Sequence, residues 1–494
     1  MKEIVEKYRK IWAVMHGISL MNWDSETYMP SEGIRERSVA NAEMGTLYQE
    51  LLLKDHFVSL VERAENEKDL NPYETGVIRV LRREITRMKK LPPELIYELG
   101  KTTSEAFQVW RVSREENRFD PFVPYLKKIL ELNREMADKL GYDENPYDAL
   151  LDLSEEGLRT RDIKGMFDTL APTLKGILDR VNDEGYFNRK HELEDAVYDR
   201  VSMERVNHSV LKLLQYPEDR ARMDVSPHPF TIGISINDVR ITTRYEGYDF
   251  KRSMFSTIHE FGHATYELQI DPDLDMTPVG TGVSLGIHEG QSRFWENVVG
   301  RSPAFTELVK PLLDSELKIT RNYSAGELYR YFASVRPSLI RTEADELTYN
   351  LHIALRFRLE LMLINGELNV EDLPQAWTDA SESLLGVKPR SYADGVLQDV
   401  HWSHGSFGYF PTYTLGNVVA SMIARKIAAE RGPVQDMITG KGIAEIKNYL
   451  GHLIHSYGAM YAPQDLLKMT IGYSYNPSDL VDYLRDKYVK NSRY

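Results

Sequence analysis

The chain is 494 residues long, 42% hydrophobic and 28% charged, with a formal net charge of −14; this acidity does not favour nucleic acid or an anionic membrane as a partner. Cysteine is absent, which excludes disulfides, thiolate metal sites and a cysteine nucleophile. No apolar run is long enough to span a bilayer, and the N-terminus, Met1-Lys2-Glu3-Ile4-Val5-Glu6-Lys7, lacks the apolar core of a signal peptide, so a cytoplasmic protein is expected.

Most of the chain reads as helix. Ile4, Tyr8, Ile11, Trp12 and Met15 recur at helical spacing. Ile78, Leu81, Ile85 and Met88 form a second stripe, stopped by Pro92-Pro93, and Phe122, Leu126, Ile129 and Leu130 form a third after the start signals Pro121 and Pro124. Breaks fall at Met29-Pro30, Asn71-Pro72, Asn145-Pro146, Pro272, Pro278 and Gly432-Pro433. None is long or low in complexity and no fixed-period repeat exists, so residues 1–494 are expected to form a single domain. From Thr231 the period changes to two. Ile232, Ile234 and Ile236 alternate with small or polar residues, and after Asn237 Val239 and Ile241 alternate with Asp238, Arg240 and Thr242. That predicts a hairpin or small antiparallel sheet, along whose edge an extended peptide can lie.

Beyond the hairpin stands His259-Glu260-Phe261-Gly262-His263, a match to H-E-x-x-H. Positions i and i+4 of a helix share a face, so His259 and His263 can aim two imidazoles at one metal ion. Glu260 beside them can accept a proton from a metal-bound water. The competing reading is a buried helix with two chance histidines. With 13 histidines in the chain, a random match is on the order of a few per cent. The metzincin extension requires Gly and His where Tyr266 and Gln269 stand, so a third ligand must come from elsewhere. Glu289 is the candidate. Glu289, Ser292, Arg293 and Glu296 mark one polar helix face, with Phe294, Trp295, Val298 and Val299 apolar. A solvated, salt-bridged face explains the same stripe, and the residues alone leave the two readings level. The preceding Gly280, Gly282 and Gly286 let this helix return against the first.

The chain resembles the Taq-type metallocarboxypeptidases. The motifs His228-Pro229-Phe230, Asp238-Val239-Arg240-Ile241-Thr242, His259 to His263, His288-Glu289-Gly290-Gln291, Ile340-Arg341-Thr342-Glu343-Ala344-Asp345 and Gly395 to Trp402 occur in the family's order. Trp23-Asp24 with Met29-Pro30, and Gly141-Tyr142 with Pro146 to Leu151, also match, so the likeness spans nearly the whole chain. It implies a mainly α-helical fold with a deep central groove, as in the neurolysin and angiotensin-converting enzyme group. It implies peptide substrates with a free C-terminus, a homodimer, and one divalent metal, zinc or cobalt, held by His259, His263 and Glu289, with Glu260 as general base. Arginine binds both oxygens of a carboxylate, so Arg341, then Arg240, are the expected anchors of the substrate's C-terminus, with His228 in the same region. For Arg240 the alternative is a pair with Asp238; for Arg341 it is an intrahelical pair with Asp345 on a predicted helix. The donor-rich stretch from His401 to Tyr413 offers His401, Tyr409 and Tyr413 to the oxyanion, on a loop that Gly405 and Gly408 are expected to leave mobile. An oligopeptidase cutting internal bonds shares the metal site but needs no carboxylate anchor. A peptide-binding helical scaffold with a dead site is disfavoured by the intact Glu260.

Overall fold

Helices, many of them with proline at their starts, build most of the described residues. In the computed structural model, which describes residues 1–440 and 442–490, α1 (Lys2–Thr27), α2 (Pro72–Lys90) and α3 (Val123–Leu140) cover the three predicted stripes. On α1 the buried side chains are Ile4, Ile11, Val14 and Trp23, while Met15 faces outward. At 100° per residue Met15 lies closer to the Ile4–Ile11 line than Val14 does, so helical spacing alone does not set which of the two is buried. α4 (Pro146–Asp152) starts at a predicted break, its Asn145 cap accepting from the Tyr147 N–H at 2.9 Å.

The residues divide into two compact units, each built from separate stretches. The first comprises Met1–Lys89, Lys190–Phe332 and Val419–Tyr475; the second comprises Lys90–Arg189, Ala333–Val418 and the segment from Asn476. In the first, Ile4, Ile11, Phe57, Val61, Leu81 and Ile85 share a core with Ile236 and Ile270. This unit also holds the only sheet among the described residues: β1 (Ala221–Val225), β2 (Thr231–Ser235) and β3 (Asp238–Thr243), in the order β1-β3-β2. The predicted hairpin is the antiparallel β2–β3 pair, with an irregularity between Gly233 and Ser235. β1 runs parallel to β3, Ala221 opposite Val239. Its short Ala-Arg-Met-Asp-Val run carries two charges and gives little strand signal.

Next come α5 (Lys251–Leu268) and α6 (Leu285–Arg293), followed by a π-helical turn over Phe294–Gly300. Gly262 governs their approach. A Cβ there would lie 2.5 Å from Ser292 Cα and 2.7 Å from the Gln291 carbonyl, so only glycine lets the two backbones touch. No described helix is long and apolar enough to cross a membrane.

In the second unit two expectations are corrected. Residues 341–345 do not form an α-helix. A 3₁₀ turn spans Arg341–Glu343, and Asp345 instead accepts from the backbone of Leu347 and Thr348 at 2.9 and 2.8 Å, just ahead of α7 (Tyr349–Asn365). Asp is a strong helix-initiating acceptor, and that use displaces an i,i+4 ion pair. The His401–Tyr413 stretch is not an open loop either. His401–His404 is a 3₁₀ turn, Trp402, Phe407 and Phe410 are buried, and a Cβ on Gly408 would lie 2.6 Å from the Leu150 carbonyl carbon. Gly405 and Gly408 have φ of 71° and 80°, so these glycines serve tight turning and close packing. α8 (Pro411–Arg431) begins within this stretch and carries Tyr413 in its first turn.

Candidate active site

One turn of α5 brings His259 and His263 onto the same face, and α6 delivers Glu289 to meet them. Glu289 Oε2 lies 3.5 Å from His259 Nε2 and 3.2 Å from His263 Nε2. Donors about 2.0–2.2 Å from a tetrahedral ion stand roughly 3.3–3.5 Å apart, so the spacing fits one divalent cation. Among the described residues this His259, His263 and Glu289 group is the only such cluster, and it has three members. Three protein donors leave a fourth position for water or substrate, as in catalytic rather than structural sites.

Each ligand is held from behind. His259 Nδ1 lies 3.0 Å from Glu296, a carboxylate fixed in turn by Arg293 at 3.2 Å and Arg301 at 2.9 Å. His263 Nδ1 lies 2.6 Å from Nδ1 of His288, whose Nε2 is 2.8 Å from Glu267. With both Nδ1 atoms engaged, both Nε2 atoms face the candidate ion. Arg293 Nε donates to Glu289 Oε1 at 2.7 Å, and Ser292 Oγ to Oε2 at 3.1 Å. Such orienting partners typically change metal affinity by about 10–100-fold when removed.

Burial and neighbouring charges act against one another in this cluster. Burial works against a charged Glu289, but Arg293 and His259 hold its carboxyl well below the usual range. Burial also works against a charged His259, yet Glu289 and Glu296 win and push it up to about 10. Burial pushes His263 down to about 3 despite Glu289. The two imidazoles are thus pushed in opposite directions, His259 up by its carboxylate neighbours and His263 down by burial. Glu260 is buried at 6% exposure, and burial raises its pKa against the pull of His259 and Thr231. Thr231 Oγ1, at the start of the edge strand β2, donates to Glu260 Oε2 at 2.6 Å.

Arg240 and His228 also belong to the first unit. Arg240 forks onto Asp238 with two bonds of 2.7 Å and lies 4.3 Å over the Trp23 ring, so its alternative reading as an Asp238 pair is what the structure has. His228 is exposed between β1 and β2, its carbonyl accepting from Ser226 Oγ at 2.7 Å.

Arg341, His401, Tyr409 and Tyr413 gather in the second unit. His401 Nε2 is 3.2 Å from the Tyr413 hydroxyl, and its ring lies 5.6 Å from that of Tyr409. Burial, then Arg341, pushes His401 down to about 3, so the imidazole is neutral. Arg341 is 7% exposed. Its Nε donates to Asp399 at 2.8 Å and its Nη1 to the Tyr349 hydroxyl at 2.9 Å. Its Nη2 has no hydrogen-bond partner among the described residues.

Sequence reasoning missed Thr231, Glu296, Glu267 and Asp399 as partners of these groups. Only Asp399 and Glu296 had a signal, inside a motif and inside the polar stripe; Thr231 and Glu267 are ordinary residues until the fold joins them.

A family model for carboxypeptidase Taq (M32) metallopeptidases matches residues 3–488. Thermostable carboxypeptidase 1 of Pyrococcus furiosus is 49% identical over 489 residues, covering 99% of this chain and 98% of that protein. The Thermus thermophilus protein of the same name is 37% identical over 486 residues, covering 95% and 94%. Among solved structures, Pyrococcus furiosus carboxypeptidase superposes with a TM-score of 0.97 at 49% identity, over 99% of this chain and 98% of that one. The M32 carboxypeptidase from Deinococcus radiodurans superposes with a TM-score of 0.95 at 31% identity, over 100% and 99%.

Proposed function

The chain belongs to the carboxypeptidase Taq (M32) family of metallopeptidases, and on that footing we propose how its residues carry out metal-dependent removal of C-terminal residues from peptides. His259, His263 and Glu289 hold one divalent cation per chain. The ion is zinc, with cobalt the alternative that the same donors bind. Bound there, the cation supplies Lewis acidity, lowering the pKa of a coordinated water and polarising the scissile carbonyl. Glu260 Oε2 takes the proton of the attacking water and passes it to the leaving amine. Its burial supports this role, because a carboxylate with a raised pKa is a better match to proton transfer near neutrality. Thr231 keeps that oxygen in place. As an edge strand, β2 supports a reading in which an extended peptide takes main-chain hydrogen bonds beside it.

His401, Tyr409 and Tyr413 are the donors to the oxyanion; a neutral imidazole and two phenols suit developing negative charge. Arg341 reads the terminal carboxylate, supported by one observation: a nearly buried guanidinium with an unclaimed Nη2. Arg240, with both arms on Asp238, is the weaker anchor, and His228 a peripheral contact. The protein acts as one catalytic domain over residues 1–494, a reading supported by the chain's five passages between its two units. It works as a cytoplasmic homodimer without nucleic-acid or membrane partners, supported by its net charge of −14 and the family resemblance. Thermostability is supported by the names of its relatives and the absence of cysteine.

The test of the anchor is kcat/KM for one peptide in acid and amide forms. A charge-assisted arginine–carboxylate contact is worth roughly 1.5–3 kcal/mol, so amidation lowers efficiency by about one to two orders of magnitude. Arg341→Ala erases most of that difference and Arg341→Lys restores part of it. Equal rates for both forms in the unaltered enzyme contradict the reading, and a preference that survives in Arg341→Ala moves the anchor elsewhere.

A further inference from the structure

Behind Arg341 lies a second guanidinium that no role above requires. Arg356 sits on α7 with its side chain fully buried. Its Nε donates to Asp399 Oδ2 at 2.6 Å, its Nη1 to the His352 carbonyl at 2.9 Å and its Nη2 to Gln398 Oε1 at 2.8 Å. The rings of Trp377 and Phe410 lie 4.8 and 5.5 Å from its guanidinium carbon. Every nitrogen is engaged and none reaches solvent, so Arg356 is not itself a ligand-binding group.

Its partner is shared. Asp399 Oδ1 accepts from Arg341 Nε while Oδ2 accepts from Arg356. Gln398 ties the two together again, its Oε1 accepting from the Arg341 backbone N–H at 2.9 Å and from Arg356 Nη2. Among the described residues neither arginine pairs with a second carboxylate. The nearest carboxyl along α7, Glu360, is instead taken by Tyr147, Trp402 and the Gly408 N–H. His352 and His401 face the cluster, and burial holds both neutral. Two buried cations thus share one anion, and the cluster carries an excess positive charge.

This arrangement solves a problem that a lone pair creates. Arg341 on Asp399 alone is a neutral unit whose carboxylate repels any incoming carboxylate at close range. Buried excess charge is costly unless something uses it. We infer that Arg356 is a positioning residue for selectivity: it neutralises Asp399, so that Arg341 keeps its own charge for the terminal carboxylate of the substrate. The inference rests on the reading of Arg341 as carboxylate anchor. Asp399 then fixes the direction of the Arg341 fork without cancelling its charge.

The experiment compares kcat/KM for one blocked dipeptide as acid and as amide across four metal-loaded variants. The unaltered enzyme prefers the acid by about 10–100-fold. Arg356→Gln leaves Arg341 in place but cancels its charge against Asp399, and the preference falls to below about 3-fold. Arg356→Lys keeps the charge and most of the preference. The double variant Arg356→Gln with Asp399→Asn removes one charge of each sign; Arg341 is again unbalanced, and the preference returns to within about 3-fold of the original. A purely structural role for Arg356 predicts no such rescue. Full preference in Arg356→Gln, or its absence in the double variant, overturns the inference. If Arg356→Gln does not fold, Arg356→Met, which removes the same charge with an unbranched side chain, takes its place, and the same loss and rescue are expected. Arg341→Ala separates the two readings: a preference surviving there removes the anchor and this inference with it, whereas its loss there together with its survival in Arg356→Gln removes this inference alone.

Discussion

Glu260 and Glu360 are both buried carboxyls, and their surroundings send them to different work. Glu260 neighbours the candidate metal ligand His259, and its side chain accepts one bond, from the Thr231 hydroxyl. Glu260→Gln keeps the shape and that bond but cannot take a proton. Turnover therefore falls by roughly 10²–10⁴-fold or more while bound metal stays stoichiometric. A near-normal rate in metal-loaded Glu260→Gln assigns the base elsewhere. Glu360 accepts from Tyr147 at 2.7 Å, Trp402 at 2.8 Å and the Gly408 N–H at 3.3 Å, pinning the His401 segment to α7. Burial raises its pKa to about 7. A carboxyl raised on folding stays protonated in the native state while the unfolded chain ionises above about 4.5, so stability declines as pH rises from there through about 7. Gln cannot ionise. Relative to the unaltered protein, Glu360→Gln therefore gains about 1–3 kcal/mol between pH 5 and pH 8; urea melts at both pH values measure it, and a pH-independent difference contradicts the assignment. At this scale the sequence showed His259, His263, Glu260 and Glu289, because helical spacing and motif order expose them. It did not show Glu360 or Arg356. A Glu and an Arg one turn apart on a helix read as a solvated pair, and only the fold buries both and gives each a different partner.

The elements that carry the candidate metal ligands depend on backbone contact. Gly262 occupies an unspecified position of the H-E-x-x-H motif, yet it is where α5 and α6 meet. In Gly262→Ala the added methyl meets backbone rather than a flexible side-chain end, so the helices must separate. The expected cost is about 1–3 kcal/mol in stability, accompanied by weaker metal binding because Glu289 rides on α6. Thermal melting and metal titration check this; an Ala variant with unchanged melting and affinity contradicts it. Helices and the β2–β3 hairpin were legible because their apolar periods of 3.6 and 2 are local properties. β1 was not, since it is fixed by parallel pairing with a strand more than a dozen residues away. Nor was the 341–345 turn, where two charged residues at helical spacing each found a better partner, Asp399 for Arg341 and the start of α7 for Asp345.

At the scale of the molecule, the His259, His263 and Glu289 cluster lies in one unit and the Arg341 cluster in the other, and each is assembled from segments apart in sequence. The family resemblance linked these distant motifs in order, while the division into two units and the charge balance around Asp399 became visible only from coordinates. Cation binding to the native state alone also links the metal to folding, so metal-stripped protein melts at lower temperature than the reloaded form. The central claim is that hydrolysis depends on an ion held by His259, His263 and Glu289. The most direct measurement is metal content and release of the C-terminal residue from a blocked dipeptide, made on the same samples of the unaltered and Glu289→Ala proteins, as purified, after chelation and after reloading with zinc or cobalt. The account predicts about one ion per chain, activity that falls and returns with occupancy, and low occupancy with low activity in Glu289→Ala. Full activity in chelated protein, or full occupancy in Glu289→Ala, contradicts it.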